Sequence, residues 1–320
     1  MKRNWIFPVV GVLAAVALLV GIFSDMYRKH KVPANHGMRH IAFALDWKAE
    51  PEYGGIYQAK ALGLYAARGL DVEIRSGGPN TNVPQLIAGG AVEAGIGSNS
   101  FTALNMVKAG IPARAVMAVF QKDPQCLITH QRDDIHSLAD MRGKPILVAD
   151  AVVSSIWNWL KSKFGYSDAQ IRKYTFNLAP FLADKNAIQQ GYVTSEPYTI
   201  EKQSGEKPNV YLFSDAGYPG YGSLIVVSQK LIDKEPAVAK AFVEATIAGW
   251  KSYLYEDPTP ANKLIKADNP EMSDDLIAQA IEKLKSYEIV HGAKAGPGAI
   301  GQMSEERWRE FFTAMSDAHV

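Results

Sequence analysis

Cysteine is nearly absent from this 320-residue chain: Cys126 stands alone. That excludes an internal disulfide, a cysteine metal cluster and a CxxC redox pair. Catalytic signatures are missing too, with no GxSxG, HExxH or Walker loop. Gly77, Gly78 and Pro79 lack the lysine and hydroxyl residue of a phosphate loop. GLYAARG places its glycines inside and after a helix, not in a dinucleotide-binding turn. No cofactor is called for. Excess charge is also missing, since 34 basic residues face 33 acidic ones and the net is +1. Nothing therefore points to nucleic acid or to an anionic surface. There is no short-period repeat and no low-complexity segment. What remains is an ordinary globular composition, 47% hydrophobic and 21% charged, long enough for two compact units.

The N-terminus departs from that average. Lys2 and Arg3 precede an uncharged apolar run from Trp5 to Phe23, about 19 residues and long enough to span a bilayer. Its end has no good small-x-small cleavage site, and no cysteine comes after it for lipidation. An inner-membrane anchor is expected, with residues 24–39 as a polar tether; a cleaved export signal is the other outcome.

Beyond the tether, the chain repeats one pattern of strand, polar or aromatic loop, and helix. Ile41, Phe43 and Leu45 alternate as a buried strand. The loop from Asp46 to Gly55 carries Trp47 and Tyr53, and a helical spacing begins at Ile56. A second unit runs from Ala91 to Gly97 and ends in Ser98, Asn99 and Ser100 before another helix. A third places Ser154 and Ser155 before a helix from Ile156. A fourth leads from Gly191 into Glu196, Pro197 and Tyr198. Open α/β sheets hold ligands where a strand's carboxyl end meets a helix N-terminus. Each of these residues also has a plain reading. Trp47 and Tyr53 can simply cap a sheet, Ser154 and Ser155 can be N-caps, and Glu196 with Pro197 suits any first helical turn. Cys126 reads as a buried small hydrophobe, and Trp308, Phe311 and Phe312 as core.

The stretches GGIYQAKALGLYAARGLDVEI, GGPNTNVPQLIAGGAVEAGIGSNS and SLADMRGKPILV resemble the solute-binding proteins of ABC importers. More narrowly, they resemble the NMT1/THI5-like group, relatives of thiamine-pyrimidine, sulfonate, nitrate and riboflavin binders. The resemblance runs from Ile41 to the C-terminus. It implies a type II periplasmic-binding fold, two α/β lobes with an interlobe cleft, behind an N-terminal transmembrane segment. The expected division is 1–40 for anchor and linker, 41–130 plus 222–320 for the first lobe, and 131–221 for the second. Segments 127–133 and 217–226 would join them.

The resemblance further implies a ligand between the lobes, a periplasmic location, and an ABC permease and ATPase as partners. Trp47 and Tyr53 would stack on it, and Ser98 and Asn99 would hydrogen-bond. Ser154, Ser155, Glu196 and Tyr198 would close from the second lobe, and Tyr221 from the hinge side. A planar, nitrogen-rich compound is expected, a thiamine-precursor pyrimidine first. Sulfonate, nitrate and riboflavin are the alternatives, as is a sensor that has lost its importer. Yeast-type THI5 synthases in the group carry a motif like DWxxNxNHxGxY and a cysteine cluster. Here DWKAEPEYGGIY keeps Asp46, Trp47, Gly55 and Tyr57 but has Tyr53 at the histidine position. With one cysteine in the chain, a binder is expected, not a synthase.

Overall fold

The computed structural model describes residues 37–78, 80–153, 155–292 and 296–318. The expected span from Trp5 to Phe23 and the candidate Ser154 lie outside these residues. Among the described residues no helix is long and apolar enough to cross a membrane.

Among the described residues ten strands succeed one another: β1 (Arg39–Ala44), β2 (Leu70–Arg75), β3 (Ala94–Asn99), β4 (Ala113–Phe120), β5 (Gln125–Thr129), β6 (Ile146–Val148), β7 (Ile171–Lys173), β8 (Ile188–Tyr192), β9 (Asn209–Leu212) and β10 (Gly222–Ser228). They form two five-stranded sheets, β2-β1-β3-β10-β4 and β7-β6-β8-β5-β9. Each sheet is mixed. In the first, β1 runs parallel to β2 and β3, while β10 is antiparallel to β3 and β4. In the second, β6 runs parallel to β7 and β8, while β5 is antiparallel to β8 and β9. This is the two-lobe α/β architecture of periplasmic binding proteins.

The sequence pattern assigns the apolar run around Cys126 to the first lobe. It forms β5 instead, inside the second sheet. The chain thus crosses within 121–124, and returns within 213–221. The reason is physical: β5 is buried along its whole length, so its pattern marks a central strand without saying of which sheet. Cys126 is buried, as a small hydrophobe would be.

Helices fix the first lobe's strand ends. The helix Gly54–Ala61 packs on the long helix Pro236–Tyr255. The approach needs glycine on both sides. A Cβ at Gly249 would stand 2.1 Å from the Gly55 carbonyl, and one at Gly55 would stand 2.1 Å from the Trp250 ring. The last helix, Glu305–Asp317, reaches the second lobe instead. Phe311 is buried against Phe101 and Tyr218, and Arg307 donates to the carbonyls of Pro219 and Gly220 at 3.0 Å each. Trp308 is half-buried against this core, but Phe312 is 60% exposed, one position round from the apolar face.

Candidate functional site

The loop after β1 opens onto the second lobe. Asp46 sits at its start, half-buried, and is held by two hydroxyls. Tyr53 Oη donates to it at 2.7 Å and Ser98 Oγ at 2.6 Å. Burial still pushes its carboxyl above the usual range, with both bonds pulling the other way. Next comes Trp47, whose ring centroid lies 4.2 Å from that of Phe176 on the opposite lobe. Phe176 in turn lies 5.1 Å from Tyr174.

Two more acids stand further along the loop. Glu52 is 3% exposed and accepts from the Thr194 hydroxyl of the second lobe. Burial raises its pKa to about 7, with the charge of Glu196 adding to the rise. Glu50 is pushed well above the carboxylate range by burial, then by the charges of Glu52, Glu196 and Asp46. Lys48 opposes this, but it is engaged by Glu271 at 2.6 Å.

From the second lobe comes Glu196, first residue of the helix Glu196–Ser204. It accepts from the Tyr192 amide at 2.8 Å and from Tyr174 Oη at 3.3 Å. Gly191 leaves room for it, since a Cβ there would meet Glu196 Oε2 at 3.0 Å. Burial raises this carboxyl too, against those bonds. The two lobes therefore face each other with four carboxyl groups and an aromatic pair between them. Ionised, these carboxyls accept hydrogen bonds and repel anions; protonated, each can also donate one.

The residues singled out in the sequence divide into two groups. Trp47, Tyr53, Ser98 and Glu196 converge on this cleft, although Tyr53 is buried and serves Asp46 rather than offering a face. Asn99 caps the helix Ser100–Lys108, its side chain accepting from the Phe101 amide at 3.0 Å. Ser155 is buried at the start of the helix Ile156–Phe164. Tyr198 is spent on a contact across the lobe boundary, donating to Asp275 of the helix Asp274–Ser286 at 2.7 Å. Tyr221 is buried under the Arg307 guanidinium, 4.0 Å from its ring centroid, and accepts from the Ser304 amide. Sequence reasoning passed over Glu50, Glu52, Tyr174, Phe176 and Thr194. The two glutamates flanking Pro51 were the available signal: paired acids in a loop otherwise rich in aromatics and glycine.

The NMT1/THI5-like family model matches residues 50–261. The chain belongs to that family. Its sequence is 22% identical over 319 residues to a formylaminopyrimidine-binding protein of Halalkalibacterium halodurans, covering 98% of this chain and 94% of that protein. It is 24% identical over 218 residues to the riboflavin-binding protein RibY of Chloroflexus aurantiacus, covering 66% of this chain but only 62% of RibY. In structure it resembles the alkanesulfonate-binding protein SsuA of Xanthomonas axonopodis pv. citri bound to MOPS, with a TM-score of 0.61 and 10% identity over 88% of this chain and 93% of that one. At that identity the likeness speaks for the fold.

Proposed function

We propose that this family member is the substrate-binding component of an ABC importer, capturing a small planar, nitrogen-rich compound between its lobes. A thiamine-precursor pyrimidine is the leading ligand. One observation supports the reading: Glu196 from one lobe and Asp46, Glu50 and Glu52 from the other lie near one another where the lobes meet, and the Trp47 and Phe176 rings pack across the same boundary. A flat ring would lie against Trp47, and its amino groups would donate to Glu196 and Glu50. The similarity to a formylaminopyrimidine-binding protein along nearly the whole chain supports this choice. A riboflavin-type ligand is the second reading, supported by the likeness to RibY and by the same acceptor-rich wall. A sulfonate fits poorly, because Lys48, the basic side chain of the β1 loop, is committed to Glu271.

The protein would work in the periplasm, tethered through the run from Trp5 to Phe23, and hand its ligand unchanged to a permease and ATPase. N-terminal sequencing of protein from cells tests the tether; a soluble chain beginning near residue 25 would refute it. Thermal shift with native mass spectrometry, on an aminopyrimidine thiamine precursor, riboflavin and an alkanesulfonate, tests the ligand. Stabilisation by one of the first two is expected. Stabilisation by the sulfonate alone would overturn the proposal. Incubation with pyridoxal phosphate and iron is expected to yield no pyrimidine.

A further inference from the structure

Thr194 is gripped from both sides by the opposite lobe. Its hydroxyl donates to Glu52, and its carbonyl accepts from Gln279 Nε2 at 2.5 Å, on the helix Asp274–Ser286. Thr194 and Glu52 are 1% and 3% exposed, so the contact is dry. Two residues further on stands Glu196. We infer that Glu52 and Thr194 form an interlobe latch that closes on taking up a proton and, in closing, brings Glu196 into place. The inference goes beyond the proposed function, resting on it only in that the lobes part and meet.

The surroundings of Glu52 make closure costly while it is ionised. Glu50 on its own segment, Asp46 at the end of β1 and Glu196 from the second lobe are all acidic. Tyr192 of β8 and Tyr253 of the helix Pro236–Tyr255 present phenols, both held neutral by burial. On the helix Gly54–Ala61, Tyr57 is tied to Asp268. On the helix Asp274–Ser286 the facing side chain is the neutral Gln279, and Asp275 is taken by Lys202 and Tyr198. Lys48 is taken by Glu271. A carboxylate shut in here faces the like charge of Glu196 and receives a single hydroxyl from the far lobe. A carboxylic acid in the same place keeps the hydroxyl contact without the charge.

Protonation therefore favours the closed form. The shut-in carboxyl has a pKa of about 7, against an ordinary 4.5. Closure should then be easiest below the lower value and weaken as pH rises through the interval between them, by at most about tenfold per pH unit.

Interlobe energy transfer on the full, ligand-free chain tests this. Labels go at Lys108→Cys and Lys207→Cys, exposed sites on opposite lobes; the native Cys126 is buried. The ratio of closed to open protein is expected to fall about tenfold or more between pH 5 and pH 7.5. Glu52→Gln keeps the acceptor and should stay closed across that range. Thr194→Val should open the protein at pH 5, while Thr194→Ser behaves as the parent. A flat parental profile, or an undiminished slope in Glu52→Gln, overturns the inference. So does parental behaviour in Thr194→Val, which decides the matter alone if Glu52→Gln does not fold. Because no ligand is present, failure here leaves the ligand assignment standing, and failure of the ligand panel leaves the latch standing.

Discussion

The loops after β1 and after β8 are built alike and held differently. Each ends a strand, turns through a short acidic segment and opens a helix. In the first, side-chain hydroxyls hold the acids: Tyr53 and Ser98 on Asp46, Thr194 on Glu52. In the second, Glu196 leans on a backbone amide and a tyrosine, at the N-terminus of its own helix. The first loop therefore depends on packing from distant parts of the chain. In the second the acid itself is anchored nearby, by the Tyr192 amide four residues back, while Thr194 reaches across to Glu52 and Gln279.

The sharpest way to break this comparison is Gly249→Ala. The new methyl group would meet the Gly55 carbonyl and the Ala59 backbone, neither of which can give way. A loss of about 3 kcal/mol in stability is expected by urea denaturation. The matching change beside the second loop, Gly191→Ala near the end of β8, should cost less stability, since it meets the far end of the Ile128 side chain and the Glu196 side chain. Equal losses would show that both loops lean on distant packing.

Trp47→Ala comes next. If its ring lies against a planar ligand, affinity should fall roughly ten- to a hundredfold, about 1–3 kcal/mol, by calorimetry. Trp47 is half-buried, so the melting temperature should hardly move. A large drop in melting, with affinity falling in step, would make Trp47 a packing residue.

A change of pH probes both loops together. Burial raises the carboxyls of Glu52 and of Asp123, at the crossing between sheets, to about 7. The folded protein binds these protons more tightly than the unfolded chain. Stability should thus fall as pH rises from about 4 to about 7, by at most about 1.4 kcal/mol per pH unit for each group, several degrees in Tm. Asp134 and Asp275 act oppositely, their pKa values lowered by Arg132 and Lys202, but their contribution is lost only in stronger acid. A Tm that rises between pH 5.5 and 7.5 would contradict the assignment.

Smallest of all is Tyr198→Phe. It removes an exposed bond to Asp275, and about 0.5 kcal/mol or less is expected. Ligand affinity measured on the same protein should not change. A tenfold loss would bring Tyr198 back into the cleft.

The fold was largely legible because alternation marks β1, β2 and β3 plainly, and glycine-bounded helices separate them. The sheet that owns β5 was not, since a strand buried on both faces carries no sign of its neighbours. Trp47, Ser98 and Glu196 were reachable because each lies at or just past the carboxyl end of a strand. Tyr198 ends on Asp275 of the opposite lobe, a partner far along the chain that no local sequence signal announces. Tyr221 misled because its partner, Arg307, lies far along the chain, where nothing local announces it. The acids at 50 and 52 read as ordinary loop charge until the second lobe covers them.

The position of β10 carries a consequence for how the molecule comes into being. Every strand of the second sheet lies between residues 125 and 212, so that sheet is complete in one continuous stretch, before the last helix arrives to cover part of its core. The first sheet cannot close until β10 arrives to sit between β3 and β4, and the helix Gly54–Ala61 waits longer still for Pro236–Tyr255. During synthesis or export, the inner lobe can therefore fold while the outer one remains an open set of edges. Those edges, on β3 and β4, are where a chaperone would have to stand guard.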